Sequence, residues 1–287
     1  MSALNDGYCS DDGSSGSLLC HRYILATLLS SPVRMSEIST VGCSEVRWAV
    51  GIAANGDSEL LGVWGPRVVG LRPATGALAE AGNPARPVAP PPAWHAHFAD
   101  MRARGLARVR LVVCPDSPSF ASELRDCFPG ATALPSFALQ FEVSVSRAAQ
   151  DHRASMALLL QDIIDAGSPH EAGQALDHLE SSRLGQRYPD VVAAWRLTLE
   201  QGRPLFDAAP SLRRVVHSGD GLSVDMNRSL GRAIARRRPF TSADDAVEFV
   251  RAALERRLRA IGGSDKGAVT ARSRTRTALA TTMSASL

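Results

Sequence analysis

The chain has 287 residues, 45% hydrophobic and 21% charged, which suits a folded core and argues against wholesale disorder. No run of about 18 uninterrupted apolar residues suggests a membrane span. The opening MSALNDGYCSDDGSSGS has no basic stretch leading into an apolar run, so it does not read as a secretory leader. Five cysteines, at 9, 20, 43, 114 and 127, make an odd set without a Cys-x-x-Cys, so reduced thiols are expected rather than a disulfide framework or zinc knuckle.

The net charge of +3 is unevenly spread. Residues 213–276 carry fifteen Lys/Arg against seven Asp/Glu, and the remainder is acidic. Such segregation points to one anion-seeking end, or to solvated helix faces with a basic tail. Of the 32 basic residues only Lys266 is a lysine. Arginine suits bidentate phosphate contacts, although a GC-rich coding sequence gives the same bias.

In chain order, residues 1–20 are rich in Ser, Gly and Asp and are expected to be disordered. Residues 22–29 (RYILATLL) read as a strand. EVRWAVGIA and SELLGVW flank Asn55-Gly56-Asp57, the strongest short-range signal for a β-hairpin. Residues 66–93, with RPVAPPPA, read as a loop or linker. Next come a helix over 94–104 stopped by Gly105, a buried strand over 109–114, and a helix over 117–128 stopped by Pro129-Gly130. From Val145 the apolar spacing becomes helical, over 145–166, 169–184, 188–201 and 203–209. Residues 213–218 read as extended, and helices follow over 225–237 and 242–261. Residues 262–287 read as a disordered basic tail.

Several stretches carry a family resemblance. VRWAVGIAANGDSELLGVW resembles the hairpin of mutator-type bacterial insertion-sequence transposases. WHAHFADMRARGLARVRLVVCPDSPSFASELRDCFPGA is similar to the helix–strand–helix stretch that follows it in that family. RYPDVVAAWR, SLRRVVHSGDGLSVDMNRSLGRAIARRRPF and TSADDAVEFVRAAL resemble its C-terminal helices. The resemblance implies an α/β fold of the DDE superfamily: a ribonuclease-H-like core (mixed sheet with flanking helices), an all-helical insertion and C-terminal helices. The expected organisation is a core over 21–144, the insertion over 145–210, and helices completing the core over 211–261. The family carries further chain ahead of this core, so an N-terminally truncated copy is expected.

The resemblance also implies DNA as partner, homo-oligomers, a bacterial cytoplasmic or nucleoid location, and Mg²⁺ if the chain is active. In such enzymes three carboxylates hold two Mg²⁺ ions on the attacking and leaving oxygens of a phosphoryl transfer. Here the family's three acid positions fall on Ala26, Pro115 and Val224, and its Cys-x-x-His pair falls on Ser136 and Leu139. The chain therefore reads as a degenerate copy. Asp116 and Asp225 are the candidate shifted acids, with Asp220 nearby. One residue of shift turns a strand side chain to the other face, and an aspartate at a helix start is also explained by the helix dipole.

His95-x-His97 reads as a pair of surface histidines, because i,i+2 residues do not share a helix face. Trp48, Trp64, Trp94 and Trp195 read as core, and Cys114 as a buried strand-end thiol. The DNA-contact candidates are Arg213, Arg214, Arg228, Arg232, Arg236, Arg237 and Arg238. Of these, Arg228, Arg232 and Arg236 share one helix face at i, i+4, i+8 and suit a phosphate backbone.

Three readings follow. The first is a transposase-like protein that binds DNA without strand transfer. The second is an active transposase using Asp116 and Asp225. The third is a helical interaction protein without DNA, or an unexpressed gene remnant.

Overall fold

The computed structural model describes Leu19 and residues 22–36, 43–53, 56–69, 94–114 and 117–264. Residues 66–69 and 262–264, expected as loop and tail, belong instead to a strand and to the last helix; the rest of those two expectations, and that for the N-terminal segment apart from Leu19, lie outside the described residues.

Five strands form one mixed sheet: β1 (Arg22–Val33), β2 (Cys43–Ala53), β3 (Ser58–Val69), β4 (Arg108–Val113) and β5 (Thr132–Leu134). Their order is β3-β2-β1-β4-β5. The β2–β3 hairpin forms as its sequence predicts, with Gly56 at φ +86° in the turn. β1 pairs antiparallel with β2 and parallel with β4, and β4 pairs parallel with β5. β1 therefore sits at the centre, and its apolar run is nearly continuous because both faces are covered.

Alternation along β1 divides two layers. Ala26 and Leu28 join Phe98, Met101, Leu106, Phe120 and Leu124 beneath α1 (His95–Ala103) and α2 (Ser117–Cys127). Leu25, Leu29 and Val33 point the other way, into clusters built with helices from the C-terminal half. No side chain caps the start of α1; instead Glu123 of α2 accepts from the amides of Trp94 (2.5 Å) and His95 (2.9 Å). All four tryptophans pack inside as expected, Trp64 only partly buried. His97 departs from the surface reading: it is 8% exposed and stacks on Trp64, with ring centroids 4.6 Å apart. A neighbouring strand, invisible to the helix's own periodicity, covers that face.

The helical block starts earlier than Val145. α3 (Phe137–Arg147) is capped by Ser136, whose hydroxyl accepts from the Leu139 amide. The predicted helix over 145–166 is broken after Arg147, and α4 (Arg153–Asp165) starts anew. Then follow α5 (Pro169–Ser181), α6 (Arg183–Arg187), α7 (Pro189–Gln201) and α8 (Arg203–Phe206). Their apolar faces close around Trp195, which is fully buried. Gly185 lies where α6 turns against α5, and an added Cβ would collide with the Leu179 carbonyl oxygen. Because backbone cannot rotate away, Gly185→Ala is expected to lower stability by about 2–3 kcal/mol, read as a lower urea midpoint at unchanged m-value.

The largest departure from the sequence reading is α9 (Pro210–Ala235), one continuous helix. Residues 213–218 are helical, not extended. Leu212, Val215, Val216 and Gly219 are buried at three-to-four spacing, so tertiary packing overrides a local sequence weakened by β-branched Val215-Val216 and two glycines. Gly219 allows the helix to come close, since a Cβ there would overlap the side-chain tips of Leu25 and Ile52. The final helix, α10 (Ala243–Ser264), packs over β3 and buries Ala246, Val250 and Leu254. Its start is capped by Ser242, which accepts from the Asp245 amide.

Beyond Thr27↔Val113, β1 is paired among the described residues on the β2 side only. Pro32, with no amide to donate, falls in that half-paired stretch, where a proline is tolerated. Just past it the α9–α10 connection closes on the chain. Met35 bridges to Phe240, the Phe240 amide donates to Arg34 O (2.8 Å), and the Ser36 amide donates to Phe240 O (2.8 Å).

Candidate functional site

α9 crosses β1 with a face of short side chains spaced four apart, Gly219, Ser223 and Asn227. Gly219 meets Leu25, the Ser223 hydroxyl meets that of Thr27, and Asn227 Oδ1 accepts from Ser31 Oγ (2.7 Å). Ser31 Oγ also accepts from Trp48 Nε1 (2.9 Å). Thr27 Oγ1 lies 3.4 Å from Val50 O as a donor. Polar residues survive here because each finds a partner in the sheet. Thr27 and Ser223 are 2% and 1% exposed.

This crossing brings together different residues from those the sequence resemblance picks out. Ala26 turns to the α1–α2 face, one residue out of phase with α9; Thr27 is the residue that faces the helix. Val224 is buried, while the contact with β1 comes from its neighbour Ser223. Pro115 and Asp116 lie outside the described residues. Asp225 does not face the sheet: its carboxylate binds Arg257 of α10 (2.5 Å) and lies 3.8 Å from Arg228. Leu139 is half-buried, and Ser136 serves as the cap of α3.

One carboxylate is buried beside the crossing. Asp220, 3% exposed, accepts from Ser136 Oγ (2.6 Å) and from the Ala138 amide (2.9 Å). Burial pushes its pKa up to about 6, against the opposing pull of hydrogen bonds from Ala138, Ser136 and Phe137. One turn earlier, His217 sits edge-on to Phe137; burial, reinforced by Arg213, pushes its pKa down, so the ring is neutral near pH 7. Asp220 thus ties α9 to the start of α3. Among the described residues, no group of three or more His, Cys, Asp or Glu is placed to hold a metal ion.

The arginines divide by environment. Arg213 donates to Gly167 O, and Arg214 is exposed beside it. At 1.5 Å per residue, about 28 Å of helix separates Arg213 from Arg232, so they do not form one compact patch. Arg228 pairs with Glu142. Arg237 pairs with Asp245 (2.5 Å) and lies over the rings of Phe240 and Phe249 (4.9 and 4.8 Å), a structural post. Arg232, Arg236 and Arg238 are exposed and make no ion pair among the described residues. Sequence reasoning missed Arg256 and Arg257 of α10, which line a groove against α9. The charge count included them, but only the packing of the two helices places them along α9, where Arg257 meets Asp225.

A mixed sheet covered by helices on both faces, with a long helix laid across its central strand, fits the class of α/β proteins expected from the sequence. The Mutator-family transposase domain matches residues 89–258. The chain belongs to that family. It is 23% identical over 155 residues to a probable insertion-sequence transposase of Corynebacterium diphtheriae, covering 54% of this chain and 45% of that protein. It is 20% identical over 202 residues to the transposase for insertion sequence element ISRM3 of Rhizobium meliloti (strain 1021), covering 70% of this chain and 45% of that protein. An ISRM3-like probable transposase of Sinorhizobium fredii matches to the same extent. The chain spans about half the length of these relatives. Among the described residues, no helix is long and apolar enough to cross a membrane.

Proposed function

We propose that this chain is a DNA-binding member of the Mutator family, built on a ribonuclease-H-like core, that does not itself carry out metal-dependent strand transfer. The observation that carries this reading is the hydroxyl pair at the β1–α9 crossing. Where the central strand meets the long helix, Thr27 and Ser223 face each other. Magnesium requires hard, usually anionic oxygen ligands, and two neutral, mutually bonded hydroxyls are a poor set. The described carboxylates nearby are committed elsewhere, Asp220 to the start of α3 and Asp225 to Arg257. These residues do not fit a pair of magnesium ions. The five-stranded mixed sheet with helices on both faces supports the core assignment. DNA as partner rests on family membership and on the exposed arginines of α9.

The test is a fluorescence-anisotropy titration of labelled duplex DNA over a salt series, with a nicking assay on supercoiled plasmid in Mg²⁺ or Mn²⁺. The expected result is binding whose log K falls steeply with log salt, with no nicking. Mg²⁺-dependent nicking that disappears in Asp116→Asn would establish the active enzyme instead. An absence of binding at low salt would overturn the DNA reading altogether.

A further inference from the structure

The α9–α10 groove has features the family match does not explain. Its floor is made of short or apolar side chains: Met226, Ser229 and Ala233 from α9, and Ala253, Leu254 and Ala260 from α10. Its volume is about 310 Å³. Arg256 and Arg257 line it on the α10 side. On the α9 side the exposed Arg232 donates back to Ser229 Oγ (3.2 Å), one of the side chains that line the groove. Of these arginines, Arg257 is tied to Asp225 of α9, which also lies 3.8 Å from Arg228.

The charges at this groove do not cancel. Arg257 and Arg228 share Asp225, and Arg228 also meets Glu142. Arg232 and Arg256 make no ion pair among the described residues; Arg256 bonds only its own helix, at Ala252 O (3.2 Å). Arginines on both helices without a carboxylate partner leave a net positive field here, which favours a polyanion. Planar guanidinium groups on both sides suit phosphate oxygens. Short floor side chains allow a strand's backbone to lie close to the helices.

Resting on the DNA reading above, we propose that the α9–α10 groove is where this chain grips the sugar–phosphate backbone of duplex DNA, with Arg232 and Arg256 as the paired phosphate contacts. The grip follows backbone charge and is indifferent to base sequence.

The test uses the full chain with a labelled duplex of arbitrary sequence, measured by anisotropy across a salt series. In the double variant Arg232→Ala/Arg256→Ala, affinity at 0.1 M salt is expected to fall roughly tenfold or more, and the salt slope to shrink by about 2. The double variant Arg232→Lys/Arg256→Lys is expected to keep the slope. Arg183→Ala/Arg187→Ala removes the same charge from exposed positions on α6 and is expected to change the slope little. An unchanged slope in the first variant, or an equal loss in the α6 variant, would overturn the groove while leaving DNA binding intact. Polyglutamate that displaces the duplex at equimolar charge would assign the groove to an acidic protein partner and overturn it too. No binding by the unmodified chain at low salt would overturn both this proposal and the reading beneath it.

Discussion

Trp195→Ala is expected to cost about 3–5 kcal/mol, the range for truncating a fully buried aromatic side chain. Trp195 is fully buried, sits 6.3 Å from the Phe137 ring, and donates from Nε1 to Ser144 Oγ (3.0 Å). Removing it leaves a cavity among α3, α4, α5 and α7 and takes a partner from a buried hydroxyl. Folding free energies are commonly about 5–15 kcal/mol, so a large share of the stability is at stake. The effect should reach the β1–α9 crossing, because Leu212 and Val216 of α9 belong to the same apolar cluster. Urea unfolding followed by circular dichroism measures it. A loss under 1 kcal/mol would show that the helical block holds together without this side chain.

The second large effect concerns Asp220 and depends on pH. Its pKa in the folded chain is about 6, raised by burial above the ordinary 3.8. The folded state therefore binds a proton more tightly than the unfolded chain does. That contribution to stability is fully present below about pH 3.8 and is lost as pH rises through 6. Over roughly two pH units the loss is about 3 kcal/mol. Asp220→Asn carries no charge and keeps one acceptor oxygen for the Ala138 amide, while its NH2 group faces the Ser136 hydroxyl, which can turn to accept. It is expected to remove this component of the pH dependence and to match or exceed the original stability at pH 8. Asp220→Ala leaves both buried donors unpaired and is expected to cost about 2–3 kcal/mol across the range. Chemical denaturation at pH 4, 6 and 8 for the three proteins distinguishes these effects. Parallel curves for Asp220→Asn and the original chain would remove the buried carboxylate from the account.

Much of the sheet is legible from local pattern. The Asn-Gly turn, the apolar run of β4 and the Pro-Gly stop after α2 act through the backbone preferences of a few neighbouring residues, so they read correctly in isolation. β5 is only three residues long, and Thr132–Leu134 is held by pairing with Leu111–Val113 rather than by its own pattern. α9 fails for the opposite reason. Its glycines and paired valines weaken a helix locally, while packing against Leu25 and Ile52 selects Gly219.

The candidate site follows the same division. Arg228, Arg232 and Arg236 share a stripe that periodicity predicts. The seat of Arg237 against two aromatic rings depends on a turn and a second helix. The family resemblance points to Ala26 and Val224 as the acid positions, yet strand phase and helix facing bring Thr27 and Ser223 together instead. A one-residue difference in a strand is a change of face, and a linear reading of spacing does not resolve it. Asp220 was visible as a nearby acid, but its role depends on Ser136, which lies 84 residues away in sequence.

The short bridge between Met35 and Phe240 has a consequence for aggregation. Past Val113 no described strand pairs with the central strand on that flank, and the turn after α9 covers its end through hydrogen bonds at Arg34 and Ser36. A chain cut after Ala235 would leave those backbone groups without partners, next to the apolar residues Leu29 and Val33. Such an edge is a template onto which another molecule can add a strand. The turn between the last two helices thus also shields the sheet from self-association.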